Sequence, residues 1–302
     1  MRAVVIRAYG APDVLKYEEI PDPRAGSDEV LVQVVATSVN PFDVKLRAGE
    51  MKDFVPLTFP VILGLDVSGV VQQIGSDVTG FAVGDNVFAH ASQTYATLCT
   101  VKAVDLARIP KGMDVADAAA LPTVTTTGAQ LADLALSANG TGTVLVTGAV
   151  GNVGRSAVYR AKQRGAVVLA GVLSRQIEEA RTIGADDVVA LDDNSSLESV
   201  QSLDAVAETI AGSIADKLIR KVKDGGVFAS VLGTPSTAPQ FPRVRAEYMQ
   251  VKAAPEMLLQ MAAAVRAGKL TIPLGQRFAL QDADKAHSAV EKHAAGKTML
   301  LP

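Results

Sequence analysis

The chain has 302 residues, a formal net charge of −3 and 48% hydrophobic residues. This length and hydrophobic content are sufficient for two domains or one large globular core. The basic residues form no long block and no apolar run is long enough to cross a bilayer, so neither a nucleic acid nor a membrane is predicted as a partner. The arginine-interrupted start does not fit a signal peptide, and we expect a cytoplasmic protein.

Cysteine and histidine are scarce in this sequence. Cys99 is the single cysteine, and the histidines are His90, His287 and His293. An internal disulfide is therefore excluded, and no Cys/His cluster has metal-ligand spacing. The composition predicts a zinc-free protein. Cys99 lies in an apolar, strand-like run and is predicted to be a buried thiol rather than a reactive one.

The first hundred or so residues predict a β-rich domain, barrel-like or sandwich-like. Short apolar or alternating runs at 3–7, 30–36, 69–74 and 85–89 are separated by clusters of Pro, Gly and Asp. One helix start interrupts them. Asn40 has the properties of its N-cap, Pro41 those of the first helical residue, and Asp43 lies near the positive end of the helix dipole.

The composition changes to alanine and threonine from Val115 onward. The Ala-rich part predicts a helix that Pro122 ends or kinks. A second helix is expected to run toward Leu136 and to lead into the strand at 143–147.

The segment from Thr143 to Gly171 predicts a strand, a tight turn, a helix and a second strand. Residues 143–147 are β-branched apart from Leu145 and end in Gly148, as in a buried parallel strand. After the turn, Val153, Ala157, Val158 and Ala161 recur on one helical face. An apolar strand then begins at Val167. This unit has the length and order of a dinucleotide-binding βαβ unit.

The turn at 148–154 is predicted to bind a phosphate. Gly151 has no side chain to block approach, and the positive end of the following helix favours an anion. Ala149 stands where the first glycine of the usual motif is found, so the motif is weak without its strand and helix context. A structural glycine turn in another kind of βαβ protein is the alternative.

The end of the second strand is predicted to select the cofactor. NAD-binding chains commonly place an acid about twenty residues past the glycines to bind the ribose 2′-hydroxyl. Ser174 and Arg175 occupy this region, and no carboxylate follows before Glu178. Since a guanidinium pairs well with phosphate, we favour NADP(H). Alternatively, Ser174 is an N-cap and Arg175 a solvated residue.

Strands and helices alternate through the rest of this region. We predict a helix at 176–183, a strand at 187–191, a strand near 202–207, a helix at 214–222, a strand at 226–232 and a strand through 248–251. This alternation predicts a doubly wound parallel sheet. The tail predicts helix 255–267, strand 271–280, helix 283–294 and strand 298–301. The predicted domains are residues 1–115, a dinucleotide-binding domain at 116–251, and a return of 252–302 to the first domain.

Several separated stretches carry a family resemblance. They are Val39–Asp43 with Arg47 and Gly49, Gly64–Val71, Val78–Val87, Ala118–Pro122, Gly148–Gly154, Gly184–Asp186 and Gly296-Lys297. Together they resemble the zinc-independent medium-chain dehydrogenases/reductases of the quinone oxidoreductase, or zeta-crystallin-like, type. The resemblance covers nearly the whole chain in the right order. Zinc-dependent relatives carry Gly-His-Glu where this chain has Gly64-Leu65-Asp66.

The resemblance implies a fold, an activity and a set of site residues. The expected fold is α/β, with a Rossmann doubly wound sheet and a β-rich GroES-like catalytic domain. The expected activity is NADPH-dependent reduction of a quinone or an α,β-unsaturated carbonyl without zinc, in a homodimer. The implied cofactor contacts are Asn40 and Leu232-Gly233 at the nicotinamide, Thr127 at its carboxamide, the Gly148-Ala149 turn with Gly151, Asn152 and Val153 at the pyrophosphate, and Ser174 and Arg175 at the 2′-phosphate.

Hydride transfer of this kind needs little acid–base machinery from the protein. Water or a positioned group can deliver the proton, and Asn40 and Tyr95 are the candidate catalytic residues. For Asn40 the helix-cap role competes, although a capping amide retains N–H groups to donate. For Tyr95 the competing role is that of a half-buried strand aromatic. Two rival functions stay open: a zinc-free alcohol dehydrogenase, and an NADPH-binding sensor or structural protein with little turnover.

Overall fold

The computed structural model describes residues 1–137 and 140–302. The chain forms two compact units. The first comprises Met1–Thr123, Ala253–Arg266 and Ile272–Pro302, and the second comprises Val124–Lys252 and Ala267–Thr271.

The strands are β1 (Arg2–Ile6), β2 (Lys16–Glu19), β3 (Glu29–Ser38), β4 (Val61–Ile62), β5 (Asp66–Ile74), β6 (Asn86–His90), β7 (Leu98–Lys102), β8 (Ala107–Arg108), β9 (Thr143–Thr147), β10 (Val167–Val172), β11 (Asp187–Ala190), β12 (Leu203–Glu208), β13 (Val222–Ser230), β14 (Arg245–Tyr248), β15 (Leu274–Ala279) and β16 (Lys297–Leu301). The α-helices are α1 (Pro41–Ala48), α2 (Val115–Ala118), α3 (Pro122–Ala135), α4 (Asn152–Gln163), α5 (Ile177–Ala180), α6 (Asn194–Ser199), α7 (Gly212–Ile219), α8 (Pro255–Arg266) and α9 (Ala283–Glu291).

The first unit is built on two β-sheets. The larger has the order β15-β16-β3-β5-β6-β8, with β7 paired to β3, and the smaller has the order β2-β1-β4. The strand β16, near the end of the chain, pairs antiparallel with β3 through Met299 opposite Ser38. Apolar residues of β3 and β5, such as Val32 and Val67, are fully buried, and so are the polar residues Ser38 and Ser68. The predicted β-rich domain is confirmed.

The second unit contains a six-stranded sheet in the order β11-β10-β9-β12-β13-β14. Each of its strand pairs is parallel. In chain order this is the 3-2-1-4-5-6 arrangement of the doubly wound dinucleotide-binding fold. The predicted doubly wound parallel sheet is therefore confirmed. The order reverses between β9 and β12, and the carboxyl ends of these two strands border a crevice in such folds.

Helix α4 packs on this sheet through the face that the sequence predicted. Ala157, Val158 and Ala161 are fully buried in the same core cluster as β9 and β10. Close approach depends on glycine at two points. A Cβ on Gly154 would lie 2.1 Å from the Gly148 oxygen, and one on Gly128 of α3 would lie 2.3 Å from the Val153 oxygen.

Several predicted boundaries are wrong in detail. β14 ends at Tyr248, where the predicted strand continued to residue 251. The predicted helix at 176–183 is a 3₁₀ turn at Ser174–Gln176 followed by the single turn α5. α7 ends at Ile219 and β13 already begins at Val222, because the chain re-enters the sheet before the apolar run that the pattern detected.

Cys99 lies in β7 and is buried, as predicted. Burial raises the pKa of its thiol to about 12. Within residues 1–137 and 140–302, no helix combines the length and apolar character needed to cross a membrane.

Candidate active site

The turn after β9 presents backbone N–H groups at the carboxyl edge of the parallel sheet. Helix α4 begins at Asn152, and its N-cap Gly151 supplies no side-chain capping bond. The first N–H groups of an α-helix have no partner within the helix. Together with the helix dipole they form an anion-binding end.

The glycines give this turn its shape. Gly148 has φ +59°, and a Cβ there would lie 2.6 Å from Thr209 Oγ1. At Gly151, by contrast, the Gly148 oxygen, at 3.1 Å, is the one atom of the described residues, apart from the chain neighbours, that would lie within 4 Å of an added Cβ, so the space beside Gly151 is open. A cofactor pyrophosphate therefore fits the turn, since glycine keeps the backbone accessible where the N–H groups lie.

A pair of threonines joins β9 to β12 where the strand order reverses. Thr209 donates its backbone N–H to Thr147 Oγ1 at 2.8 Å, and its hydroxyl donates to the Thr147 oxygen at 2.7 Å. These bonds fix the loop after β12 beside the glycine turn.

A buried carboxylate, which the sequence analysis did not identify, holds the loops that follow β12 and β13. Glu208 is fully buried and accepts from Ser230 Oγ at 2.6 Å and from the Ile210 N–H at 2.5 Å. Ser230 Oγ in turn accepts from the Leu232 N–H at 3.0 Å. The Leu232-Gly233 segment is thus tied to the ends of β12 and β13. No local motif could have indicated this, because the partners are brought together only by strand pairing.

Ser174 and Arg175 lie at the carboxyl end of β10, and a carboxylate lies beside them. Asp192 Oδ1 accepts from both the backbone N–H of Ser174, at 2.7 Å, and its hydroxyl, at 2.8 Å. The Ser174 bonds, and more weakly the Arg175 charge, lower the pKa of Asp192. Asp192 follows β11, the strand next to β10, so a search along β10 alone misses it.

The remaining predicted cofactor residues of the second unit differ in exposure. Ala149 and Thr127 are buried, Thr127 being 8% exposed. Asn152 and Val153 are partly exposed at the start of α4, and Leu232 is 44% exposed. Their contacts with a cofactor stay predictions.

In the first unit, Asn40 is part of a buried polar cluster. Its Nδ2 donates to Asp66 Oδ2 at 2.8 Å and to Asp43 Oδ2 at 3.3 Å. Its Oδ1 accepts from Lys297 Nζ, which also lies 3.4 Å from Asp66 Oδ2. Asn40 precedes α1, as predicted, and the Asp43 carboxylate accepts its backbone N–H at 2.8 Å. The sequence predicted that the amide N–H groups of Asn40 would be free to donate to a substrate, but both are bonded to carboxylates.

Asp66 is the centre of this cluster, which we call the Asp66 cluster: Ser38, Asn40, Asp43, Asp66, Thr123 and Lys297. The carboxylate of Asp66 is fully buried and also accepts from Ser38 Oγ and from the Thr123 N–H at 2.6 Å. Burial opposes its ionisation, but the Lys297 charge and these hydrogen bonds outweigh burial and hold the pKa of Asp66 below its usual value. The sequence placed Asp66 and Lys297 in matching family stretches without revealing that they pair.

Two histidines of the first unit have different partners: His90 contacts the cluster and His287 contacts Tyr95. His90 Nδ1 lies 2.9 Å from Thr123 Oγ1, and burial lowers the pKa of His90. His287 Nε2 lies 3.2 Å from the Tyr95 hydroxyl, with the two rings edge to face at 5.7 Å. Burial lowers the pKa of His287 to about 3.

Tyr95 is fully buried rather than half-buried. Burial, and then the Asp43 carboxylate, raise the pKa of its phenol well above 10. The hydroxyl is already bonded to His287. As a proton donor Tyr95 stays a prediction.

Asp43 is fully buried as well. Burial raises the pKa of its carboxyl to about 6, against a usual value of 3.8. None of the residues that the structure describes forms a hydrogen bond with its Oδ1. In the part of the chain that the structure describes, no three His, Cys, Asp or Glu side chains come together as metal ligands. The absence of zinc stays a prediction.

The strand order and the open glycine turn define a dinucleotide-binding α/β protein. Known proteins agree with this class. Residues 26–116 match the alcohol dehydrogenase GroES-like domain and residues 183–300 match the zinc-binding dehydrogenase family. The NADPH-dependent alkenal/one oxidoreductase of Arabidopsis thaliana chloroplasts is 31% identical over all of this chain and 80% of its own length.

Solved structures extend the likeness to the complete fold. The quinone oxidoreductase from Coxiella burnetii has a TM-score of 0.86 at 27% identity and covers 100% of this chain and 99% of its own. An NAD-dependent alcohol dehydrogenase has a TM-score of 0.84 at 30% identity, with both chains fully covered. The chain belongs to the quinone oxidoreductase family of medium-chain dehydrogenases/reductases, as its sequence motifs predicted.

Proposed function

We propose that this protein is an NADPH-dependent oxidoreductase that reduces a quinone or an α,β-unsaturated carbonyl without zinc. The observation that carries the proposal is the open glycine turn at the start of α4, at the point where the order of the parallel strands reverses. Relatives named for NADPH-dependent alkenal/one reduction and for quinone reduction support the acceptor class.

The residues of the second unit have the chemistry to hold the cofactor. The backbone N–H groups of Asn152 and Val153 suit the pyrophosphate. The Gly151 N–H itself donates to the Gly148 oxygen at 2.8 Å, so Gly151 contributes by leaving room beside those groups. The Arg175 guanidinium suits a 2′-phosphate. When bound, the nicotinamide supplies the hydride. Leu232-Gly233, held through Ser230 and Glu208, and Thr127 would flank its ring.

Asn40 is proposed to orient the acceptor. Lys297 on one side and Asp66 with Asp43 on the other fix its carboxamide, so it does not need to be ordered when the acceptor binds. Because both Nδ2 hydrogens are already donated, the proton for the reduced acceptor is proposed to come from water. Tyr95 retains its place as a buried partner of His287.

Turnover with a panel of acceptors tests the function. Purified protein is mixed with NADPH and a series of quinones and enones, and loss of the reduced nicotinamide absorbance is followed. We expect oxidation with at least one acceptor class. Cofactor binding without oxidation by any acceptor would instead favour the sensor alternative, and oxidation only of alcohols with NADP⁺ would favour the alcohol dehydrogenase.

Asn40→Ala tests this role, with a urea unfolding curve to show that the variant is folded. We expect kcat to fall at least about tenfold, since orientation contributes several kcal/mol to such reactions. The Kd for NADPH should change little if Asn40 acts on the acceptor. Asn194→Ala, on the surface of the second unit, is the matched control and should leave both constants unchanged.

A cytoplasmic location and a homodimer complete the proposal. Sedimentation velocity tests the dimer, and cell fractionation with a specific antibody tests the location. A monomer at micromolar concentration, or recovery in a membrane fraction, would contradict these two parts without affecting the proposed reaction.

A further inference from the structure

We propose that Asp192 is a specificity-determining residue that weakens discrimination in favour of the 2′-phosphate and lets the protein use NADH alongside NADPH. The inference rests on the proposed function, because it concerns the cofactor subsite formed by Ser174 and Arg175. Where the sequence predicted a subsite that selects NADPH, the proposal predicts a subsite that also accepts NADH.

Strand pairing brings Asp192 to this subsite. β10 and β11 run parallel, with Val172 opposite Ala190, and the Leu191 N–H donates to the Val172 oxygen at 2.7 Å. The chain segments that follow the two strands therefore lie next to each other. Asp192 is the first residue after Leu191, and its side chain reaches Ser174.

Asp192 uses both donors that Ser174 offers. Its Oδ1 accepts from the backbone N–H at 2.7 Å and from the hydroxyl at 2.8 Å. A 2′-phosphate needs those same donors to bind at Ser174. It would have to displace Asp192 Oδ1 or do without the serine.

The negative charge of Asp192 also disfavours binding of a 2′-phosphate. Asp192 is ionised at neutral pH, since the Ser174 bonds lower its pKa. A phosphate dianion beside this carboxylate is repelled, and Arg175 must offset both charges. Arg181 is paired with Glu178 at 2.7 Å, and Arg155 is paired with Glu179, so these two guanidiniums are already compensated.

A ribose 2′-hydroxyl is compatible with the same geometry. A hydroxyl is a donor, and an ionised carboxylate accepts several hydrogen bonds. Oδ2 of Asp192 is not the atom that holds Ser174. The Asp192 carboxylate can therefore accept a hydrogen bond from the ribose 2′-hydroxyl of NADH. In other dinucleotide-binding proteins an acid at the end of the second strand does this, whereas Asp192 follows the third strand.

Direct binding tests the proposal. Kd values for NADPH and NADH are measured by quenching or enhancement of nicotinamide fluorescence in wild type, Asp192→Asn and Asp187→Asn. Asp187 is an exposed carboxylate at the opposite end of the same strand and serves as the matched control. The kcat/KM ratio for the two cofactors is measured in parallel.

We expect wild type to bind the two cofactors within about tenfold of each other, and Asp192→Asn to shift the Kd ratio toward NADPH at least about tenfold. The shift should shrink as salt is raised, because exposed charges are screened. Asp187→Asn should leave the ratio unchanged.

A wild-type preference for NADPH beyond about a hundredfold, or an unchanged ratio in Asp192→Asn, would overturn the proposal. Failure of both cofactors to bind well-folded protein would instead overturn the proposed function. The two failures are therefore distinguishable.

Discussion

The glycine turn of the second unit and the Asp66 cluster of the first are both polar, but they are assembled in opposite ways. The turn offers backbone N–H groups from a short continuous segment, Gly148–Gly154, and depends on the absence of side chains. The cluster unites side chains from β3, the start of α1, β5 and β16, which are distant in sequence. A turn built from backbone groups can be recognised in the sequence, whereas a cluster of buried charges exists only in the folded chain.

The Asp66 cluster should be the more sensitive of the two to side-chain loss. Lys297→Met leaves the buried Asp66 carboxylate without its cation, and breaking a buried pair in this way costs about 3–5 kcal/mol. We expect that loss in the free energy of unfolding, measured with urea. Lys285→Met, which removes an exposed cation paired with Asp282, should leave the free energy of unfolding nearly unchanged.

The double variant Lys297→Met/Asp66→Asn sharpens this prediction. Removing both charges should cost less than the sum of the single changes, since no uncompensated charge is left. Additive losses would show that the pair is not coupled in the folded protein.

Titration of two groups in the first unit is predicted to have opposing effects on stability. The pKa of Asp43 is raised to about 6 from 3.8, so the folded state binds more protons in that window and stability falls as pH rises through it. The pKa of His287 is lowered from 6.5 to about 3, so its contribution is complete above 6.5 and is lost as pH falls. Between 3.8 and 6 the two slopes offset each other.

Asp43→Asn removes the contribution of Asp43 to the pH dependence of stability and leaves that of His287. Across that window its free energy of unfolding should rise with pH more steeply than that of wild type, by about 3 kcal/mol in total. Denaturant curves at several pH values measure this slope. An Asp43→Asn slope equal to that of wild type would contradict the raised pKa of Asp43.

The glycine turn should instead be sensitive to side-chain gain. In Gly154→Ala the new Cβ would lie 2.1 Å from the Gly148 oxygen, so the turn or the helix must shift. Overpacking of this kind costs about 1–3 kcal/mol, and we expect the NADPH Kd to rise at least about tenfold. Gly26→Ala, whose Cβ would have its nearest neighbour at 3.4 Å, is the control and should bind NADPH normally.

Arg175→Ala should have the smallest effect. Its guanidinium is exposed, and its loss should weaken NADPH about tenfold while leaving NADH and the free energy of unfolding nearly unchanged. Cofactor titration measures both affinities. Equal weakening of NADPH and NADH would show that Arg175 does not act on the 2′-phosphate.

The sequence predicted the fold to the extent that its signals are local. The run 143–147, Gly148 and the apolar face of α4 predict a βαβ unit because each lies within a few residues of the next. The Pro41 helix start and the buried Cys99 follow the same rule. Element ends were less predictable, as for β14, because pairing with a neighbour decides where a strand stops.

The candidate site was predictable only in its backbone part. The links of Asp192 to Ser174, Glu208 to Ser230 and Lys297 to Asn40 span 18, 22 and 257 residues. Each link depends on which strands lie side by side, and that pairing could not be inferred from this sequence alone. For the same reason the sequence overestimated the exposure of Tyr95, which is fully buried rather than half-buried.

The central claim is that the turn at 148–154 binds the pyrophosphate of a nicotinamide cofactor, and calorimetric titration of NADPH into folded protein tests it most directly. We predict saturable heat in wild type that is strongly reduced in Gly154→Ala and retained in Gly26→Ala. Absence of heat for both NADPH and NADH with well-folded wild type, or equal binding by Gly154→Ala, would contradict the claim.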